Sequence, residues 1–453
     1  MSKYGTPFGQ AGIRVLLGLE NDAHYGFNNF IFDLGGGKWT IVYRKASNHT
    51  VVNGSEICAF DTFDKGLTRE NERVVYRDPT SDTRNFVARK MGNGRLGIIA
   101  TRRYASPSLA YLAPVFIYSD DGGAEWQSRL IAPPAPGWGV NFHGSMIDFP
   151  ASVGGDDVNG FIAYSYGHTG GHIDACYTTN NGDDWSWRTQ AALKPSSVPS
   201  LTETACERVG TQDKWIMLVR PSGDVDDPAI VFTSTDPLNL GSGAADGLGI
   251  AGNPPQVIYD PRDNRFWYMA FARGDRGWKR GSSGIGHEDV FLVAAADADE
   301  LYAAGGRMAS LGLDWEIACR LPRWASGYGH PVLIDGEMFM PFVCGEQYPD
   351  HGYSKLCLIG EFPMSGIDVA NMAWMMQWQG HAERIKVRDE VEIGFGLTPP
   401  TQRGFLTLQT DNSTPGMLFQ TFTTGTRVAA RFMSNSTVGG EIKITGGNVS
   451  YGT

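Results

Sequence analysis

Ser119-Asp120-Asp121-Gly122-Gly123-Ala124-Glu125-Trp126 and, further along, Thr178-Thr179-Asn180-Asn181-Gly182-Asp183-Asp184-Trp185 follow one pattern, Ser/Thr-x-Asp/Asn-x-Gly-x-x-Trp. In such a stretch the carboxylate or amide bonds the N–H groups of a tight turn. Gly takes the positive φ that the turn needs, and Trp packs under the hairpin. Each copy follows an apolar strand, Val115-Phe116-Ile117-Tyr118 in the first case and Ala175-Cys176-Tyr177 in the second. Ser234-Thr235-Asp236 reads as an eroded third copy.

Six segments share a second feature, a turn of Gly, Asp or Asn leading into an apolar strand that ends near a polar residue. They run over 36–44, 93–102, 159–168, 213–220, 264–273 and 335–345. Their starts recur roughly every 50–70 residues, a spacing suited to four-stranded blades. Composition agrees, since 453 residues with 42% hydrophobic content, 58 Gly, 12 Trp and only 19% charged residues favour many short strands joined by tight turns. The fold class expected is all-β.

The net charge of −11 argues against broad attraction to nucleic acid or to an anionic membrane surface. An acidic ligand would need basic residues gathered locally. The six cysteines, Cys58, Cys176, Cys206, Cys319, Cys344 and Cys357, are scattered without CxxC spacing, so they read as buried small hydrophobes, not as zinc ligands or a disulfide framework. No metal or cofactor is expected. No basic N-region with an apolar core opens the chain and no apolar run approaches the ~20 residues of a membrane span, so synthesis in a cytosol without a secretion signal, and no membrane insertion, are expected.

The two turn motifs resemble the Asp-box of sialidases and related propellers. That resemblance implies a six-bladed sialidase-like β-propeller over residues 1–383, with the boxes in a structural role on the blade rims, away from the active face. From about Arg384 the pattern changes to short strands rich in Thr, Ser, Asn and Gly, such as Gly404-Phe405-Leu406-Thr407-Leu408. Residues 384–453 are expected to form a β-rich stalk that trimerises, because so little apolar content cannot build an ample core alone. Its end, Val438 to Thr453, resembles the segment preceding the self-cleaving chaperone of phage endosialidases and tail fibres. Thr453 would then be a natural cleavage end, the alternative being an artificial one.

The sialidase-like resemblance also implies a site. Glu203, in Leu201-Thr202-Glu203-Thr204-Ala205, matches the family's central acidic residue, with Arg220 and Arg273 matching Arg residues at the ends of the following strands. Two guanidinium forks hold a sugar carboxylate with orientation as well as charge. The other reading of Arg220 and Arg273 is pairing with neighbouring carboxylates, and of Glu203, neutralising Arg220. Tyr328, in Ser326-Gly327-Tyr328-Gly329-His330-Pro331, matches the position of the family's Tyr nucleophile, although a Tyr in such a loop also serves packing or sugar stacking.

Where the family carries its acid, an Asp, this chain reads Tyr43-Arg44-Lys45-Ala46-Ser47-Asn48-His49, which leaves His49 as a proton donor or a contact for sugar hydroxyls. Arg14 is the sole candidate for the remaining Arg of the triad, without the expected Arg-Ile-Pro. Arg44, His143, His168 and Trp278 complete the expected substrate contacts, on loops that could widen one face into a groove. A missing Asp and an incomplete triad are also features of phage endosialidases. The resemblance therefore implies a homotrimeric phage tailspike, carried in the virion with other tail proteins, that cleaves within an acidic bacterial polysaccharide such as polysialic or colanic acid. A receptor-binding propeller without catalysis and a lyase acting on uronates are the alternative readings, and Asp82 is a candidate second carboxylate should a hydrolase use two.

Overall fold

The computed structural model describes residues 12–17, 23–26, 28–104, 111–167, 171–222, 227–249, 254–272, 278–279, 285–286, 290–320, 327–344, 354–363, 427–434, 437–445 and 448–452. Contacts divide the chain into two compact units, Met1–Gly380 and His381–Thr453.

The first unit is a six-bladed β-propeller. Blade one is built from Phe30–Asp33, Trp39–Lys45, Glu56–Thr62 and Glu70–Arg77, and blade two from Asp82–Lys90, Leu96–Arg103, Tyr111–Ser119 and Gln127–Leu130. Val140–Asp148, Phe161–Gly167, His172–Thr178 and Ser186–Leu193 form blade three, with Gly241–Ser242 added in parallel at its edge. Blade four comprises Ser200–Arg208, Trp215–Ser222, Pro228–Ser234 and Ala244–Gly249, and blade five Gln256–Asp260, Arg265–Ala272, Val290–Asp297 and Glu316–Arg320. In blade six, Val332–Ile334, Glu337–Cys344 and Lys355–Pro363 are completed by the first of the described strands, Gly12–Leu17, which pairs antiparallel with Lys355–Pro363. All six repeat segments of the sequence coincide with the second strands of the blades.

Each blade is apolar on both faces because it is sandwiched between neighbours, and the core is therefore divided among the blade interfaces. Among the described residues there is one apolar cluster per interface. Ile41, Trp39 and Phe60 of blade one meet Phe339 and Leu358 of blade six, and Leu16 and Leu17 of the first strand share that cluster. Blades four and five meet through Ile216, Leu218, Phe266 and Tyr268. Cys58, Cys176, Cys206 and Cys357 are buried within these clusters.

The Asp-boxes close the turn between third and fourth strands. Ser119 donates to Asp121 at 2.7 Å and accepts from the N–H of Gly123, whose φ is +90°, while Asp121 accepts from the N–H groups of Ala124 and Glu125. Thr178, Asn180 and Gly182 repeat the arrangement in blade three, and Ser234 with Asp236 keeps half of it in blade four. A further box stands in blade one. Thr62 donates to Asp64 at 2.8 Å and accepts from Gly66, and Asp64 accepts from Thr68, but Arg69 occupies the Trp position.

In the second unit, Arg427–Ser434, Thr437–Thr445 and Asn448–Gly452 form a three-stranded antiparallel meander. The expected strand at 404–408 lies outside the described residues.

Candidate functional site

Antiparallel order within a blade puts the start of the inner strand and the loop between second and third strands at one end. The Asp-box turns fall at the other. Three successive inner strands are bulged at their fourth residue, close to that first end. Asn85 is the extra residue in blade two, with φ of +54°, and His143, Gly144 and Ser145 oppose a single residue in blade three. In blade four Thr202 and Glu203 together oppose Arg220. A bulge turns a side chain out of the ladder and sharpens the local twist, which is how an inner strand re-aims a residue.

The bulges of blades three and four interlock. Thr204 donates to the His143 carbonyl at 3.2 Å, Nδ1 of His143 lies 3.2 Å from the Thr204 carbonyl, and Ser145 donates to the Cys206 carbonyl. Gly144 is required at this crossing, because a Cβ there would sit 2.4 Å from the Thr204 carbonyl oxygen, and its φ is +78°.

Glu203 and Arg220 form an ion pair, with Nη1 of Arg220 bonded to both carboxylate oxygens. Glu203 is 9% exposed. Burial pushes its carboxyl up, but Arg220, His143 and the Thr202 hydroxyl outweigh burial and hold it below its ordinary value. The group is therefore a carboxylate at neutral pH, with a free proton site but less basic than an ordinary Glu. Burial works against the charge of Arg220, and Glu203, Tyr328 and Tyr166 more than compensate. His143, 1% exposed, is pushed down to about 4 by burial and is neutral.

Tyr328 has φ of +59°, a left-handed conformation that a bulky residue adopts only when its surroundings enforce it. Its carbonyl accepts from the N–H groups of Asn28 and Asn29, at 3.0 and 3.2 Å, which ties this loop of blade six to the entry of blade one. The Tyr328 ring lies 6.4 Å from that of His143 and 5.8 Å from that of His49. Nδ1 of His49 in turn lies 3.3 Å from Nε2 of His24.

Glu203, Arg220, Tyr328, His143 and His49 are thus brought together. Arg44, expected among the substrate contacts, has no exposed surface. Its guanidinium makes a bidentate ion pair with Asp82, and it also donates to the Asn48 and Thr50 carbonyls on either side of His49. Asp82 accepts as well from Ser55 and the Val52 N–H. Arg44 therefore supports the His49 loop from beneath, and Asp82, equally buried, is in no position to flank a scissile bond. Arg14 lies on the outer strand of blade six, opposite Leu358, three strands from the axis. Arg273 and His168 lie outside the described residues, as do the side chains of Arg14 and Trp278.

The geometry adds residues that the sequence pattern misses. Tyr166 is partly buried beside the Asn85 amide, 3.4 Å from its hydroxyl, and desolvation followed by the charge of Glu203 raises its phenol well above the ordinary value. Tyr111 accepts from Asn141 at 2.6 Å and carries the Arg103 guanidinium 4.7 Å from its ring centroid. His24 joins the cluster through His49. The one usable signal for these residues is Asn85, since Asn is the commonest non-glycine residue at positive φ.

No protein-family model and no curated protein matches the sequence. Solved structures do. The fold is similar to a protein of unknown function from Dyadobacter fermentans, at 13% identity over 77% of this chain and 98% of that one with a TM-score of 0.58. It is similar to the endosialidase of phage phi92, at 10% identity over 95% of this chain and 86% of that one with a TM-score of 0.56. It is also similar to a sialidase from Streptococcus pneumoniae, at 10% identity over 75% and 68% with a TM-score of 0.53. At these identities the likeness is one of fold: the first unit has the architecture of a sialidase-like six-bladed β-propeller.

Proposed function

We propose that this chain is the endo-acting glycoside hydrolase of a bacteriophage tailspike, binding and depolymerising an acidic surface polysaccharide of a bacterium, a capsule or an exopolysaccharide of the polysialic or colanic acid kind. The observation that carries this reading is the Glu203–Arg220 pair set among Tyr328, His143 and His49 where the inner strands begin. The named activities of the phage phi92 endosialidase and the streptococcal sialidase support it as fold analogues.

In this reading Glu203, held ionised, takes the proton of the attacking oxygen, and His49 gives a proton to the leaving sugar oxygen. The attacking oxygen is that of water or of the Tyr328 phenol. Arg220, which spends Nη1 on Glu203, turns its remaining N–H groups to the sugar carboxylate, with Arg273 as its partner. The tailspike would be a homotrimer in the virion, joined through residues 384–453.

The test is incubation of the purified full chain with a panel of capsular and exopolysaccharides, followed by size-exclusion chromatography and sedimentation of the protein alone. Shortened acidic polymer with no absorbance of unsaturated uronate, from a three-chain assembly, is the expected result. Retention of polymer on the protein without shortening would replace hydrolysis by adhesion, and unsaturated products would replace it by elimination.

A further inference from the structure

His24 lies outside every motif of the sequence, yet it is fully buried. Its backbone pairs with Ala46, N–H to carbonyl in both directions at 2.7 and 3.1 Å. The residues flanking it, Ala23 and Tyr25, are bonded to the N–H and hydroxyl of Ser354 in blade six. Its ring is wedged against Gly26, where a Cβ would lie 2.7 Å from Cε1 and 2.9 Å from Nδ1. The His49 ring meets it edge-on, with centroids 5.0 Å apart and Nδ1 of His49 3.3 Å from Nε2 of His24. The Arg44 bonds to the Asn48 and Thr50 carbonyls hold the His49 loop from below.

Two imidazoles in this arrangement have one bond to share, and whichever nitrogen carries the proton sets the tautomer of the other ring. We propose that His24 is a positioning residue that fixes the tautomer and favours the charged form of His49, so that the pair serves as the proton donor of the site; this rests on the glycosidase reading above. In the charged state His49 carries protons on both nitrogens, and its Nδ1–H donates to Nε2 of His24, whose own proton is on Nδ1. As the glycosidic C–O bond breaks, its electron pair stays on the leaving oxygen, which takes the Nε2 proton of His49. Water oxygen bonds to the anomeric carbon and its proton passes to Glu203. His49 is left neutral with its proton still on Nδ1 and still donated to His24, and solvent returns the proton from Glu203 to His49. Among the described residues, the charged and titratable groups around the pair include the Tyr328 phenol on one side and the buried Arg44–Asp82 ion pair under the loop. His24 thereby takes the orienting part that a carboxylate takes beside a catalytic histidine elsewhere.

The experiment compares the full-length parent with His24→Phe, His24→Gln and Gly26→Ala, the last of which displaces the His24 ring without touching His49. Two quantities are read: the pH profile of kcat and KM on a polymer that the parent cleaves, and the tautomer of His49 by ¹⁵N NMR of histidine-labelled protein, assigned with His49→Gln. For His24→Phe and Gly26→Ala the limb on which activity falls as pH rises should move down by about one unit, since the acceptor favouring the imidazolium is gone, with KM unchanged. His24→Gln, whose amide oxygen accepts the Nδ1 proton, should restore the limb. In the parent His49 should hold its proton on Nδ1, and in His24→Phe the tautomers should mix. An unmoved limb and an unmoved tautomer, with only a lower Tm, would overturn the proposal. Should no polymer be cleaved while the tautomer shifts, the positioning by His24 stands and the glycosidase reading fails.

Discussion

Nη1 of Arg220 lies 3.0 Å from one carboxylate oxygen of Glu203 and 3.2 Å from the other, across a bulge in which Thr202 and Glu203 together face Arg220. The bond is local to one blade, but its electrostatic surroundings are not. His143 of blade three acts on Glu203, and Tyr328 of blade six acts on Arg220. Four blades therefore converge on the pair, counting blade one through the contact of His49 with Tyr328.

Replacing Glu203 by Gln keeps the shape of the side chain and removes its proton affinity. Turnover should fall about a hundredfold or more, in line with the ~10²–10⁴ attributed to acid–base groups, while binding is retained. Initial rates of polymer shortening, beside affinity measured by calorimetry on the same variant, check this. Undiminished turnover would remove Glu203 from the chemistry.

Arg220→Met leaves Glu203 buried without its cation. Burial then governs its carboxyl, which rises, so the limb of kcat/KM on which activity is lost as pH falls should move to higher pH. Stability follows the same sign. In the parent the lowered carboxyl stabilises the fold above the pKa of the unfolded chain, and that contribution is lost as pH falls through the folded value. In Arg220→Met it should be absent throughout, which urea unfolding at two pH values would show.

Asp82→Asn breaks the buried pair with Arg44 and leaves an uncompensated guanidinium under the His49 loop. A loss of about 3–5 kcal/mol is expected for such a change. Denaturant titration measures it, and activity at a temperature where the variant remains folded should also drop, because the Asn48 and Thr50 carbonyls lose a fixed donor. A variant as stable as the parent would contradict the role given to this pair.

Burial holds His143 at about 4 and His330 at about 3, so both are neutral in the folded protein at pH 6 and charge in the unfolded chain near 6.5. With folded values below unfolded ones, stability should be fully present above about pH 6.5 and decline as pH falls toward those folded values. His330→Phe, which keeps an aromatic ring against Phe30, should flatten the decline in Tm between pH 7 and pH 4. An equal slope in parent and variant would count against it.

Gly182→Ala strains an Asp-box at φ of +80° and brings a Cβ within 2.6 Å of the Phe116 ring in blade two. A destabilisation of about 1–3 kcal/mol is expected, with kcat and KM unchanged, because the boxes stand at the end of the blades opposite Glu203. A change in KM at constant stability would place the box in the site.

Much of the fold could be read from the chain because its signals are local. Ser119, Gly123 and Trp126 form a complete turn within eight residues, and the six second strands carry the apolar runs. The box at Thr62, Asp64 and Gly66 escapes that reading because Arg69 replaces the Trp, although its hydrogen bonds do not need the ring. Within the site, Glu203 and Arg220 are legible since the pair spans one hairpin. Arg44 misleads. It lies near the end of a second strand as Arg220 does, but Asp82 of the next blade draws it inward, and only the packing of blades one and two decides that. His24 carries no motif at all and Tyr166 only opens the His-rich stretch that holds His168, and they enter the cluster through bulges and loop crossings that depend on residues far away in the chain.

The strand Gly12–Leu17 that completes blade six also sets the order in which the molecule can be made. Four blades hold only strands that lie close together in the chain, blade three departs from this only by the short edge strand Gly241–Ser242, and each of the five can form its main sheet as it leaves the ribosome. The sixth needs Gly12–Leu17, made before the five other blades, to wait for residues 355–363, so the ring shuts only after most of the propeller exists. Until then the exposed edge of Lys355–Pro363 and the apolar pair Leu16 and Leu17 stand open, and the seam that gives the finished ring its closure is the place where an unfinished chain is most prone to pair with another.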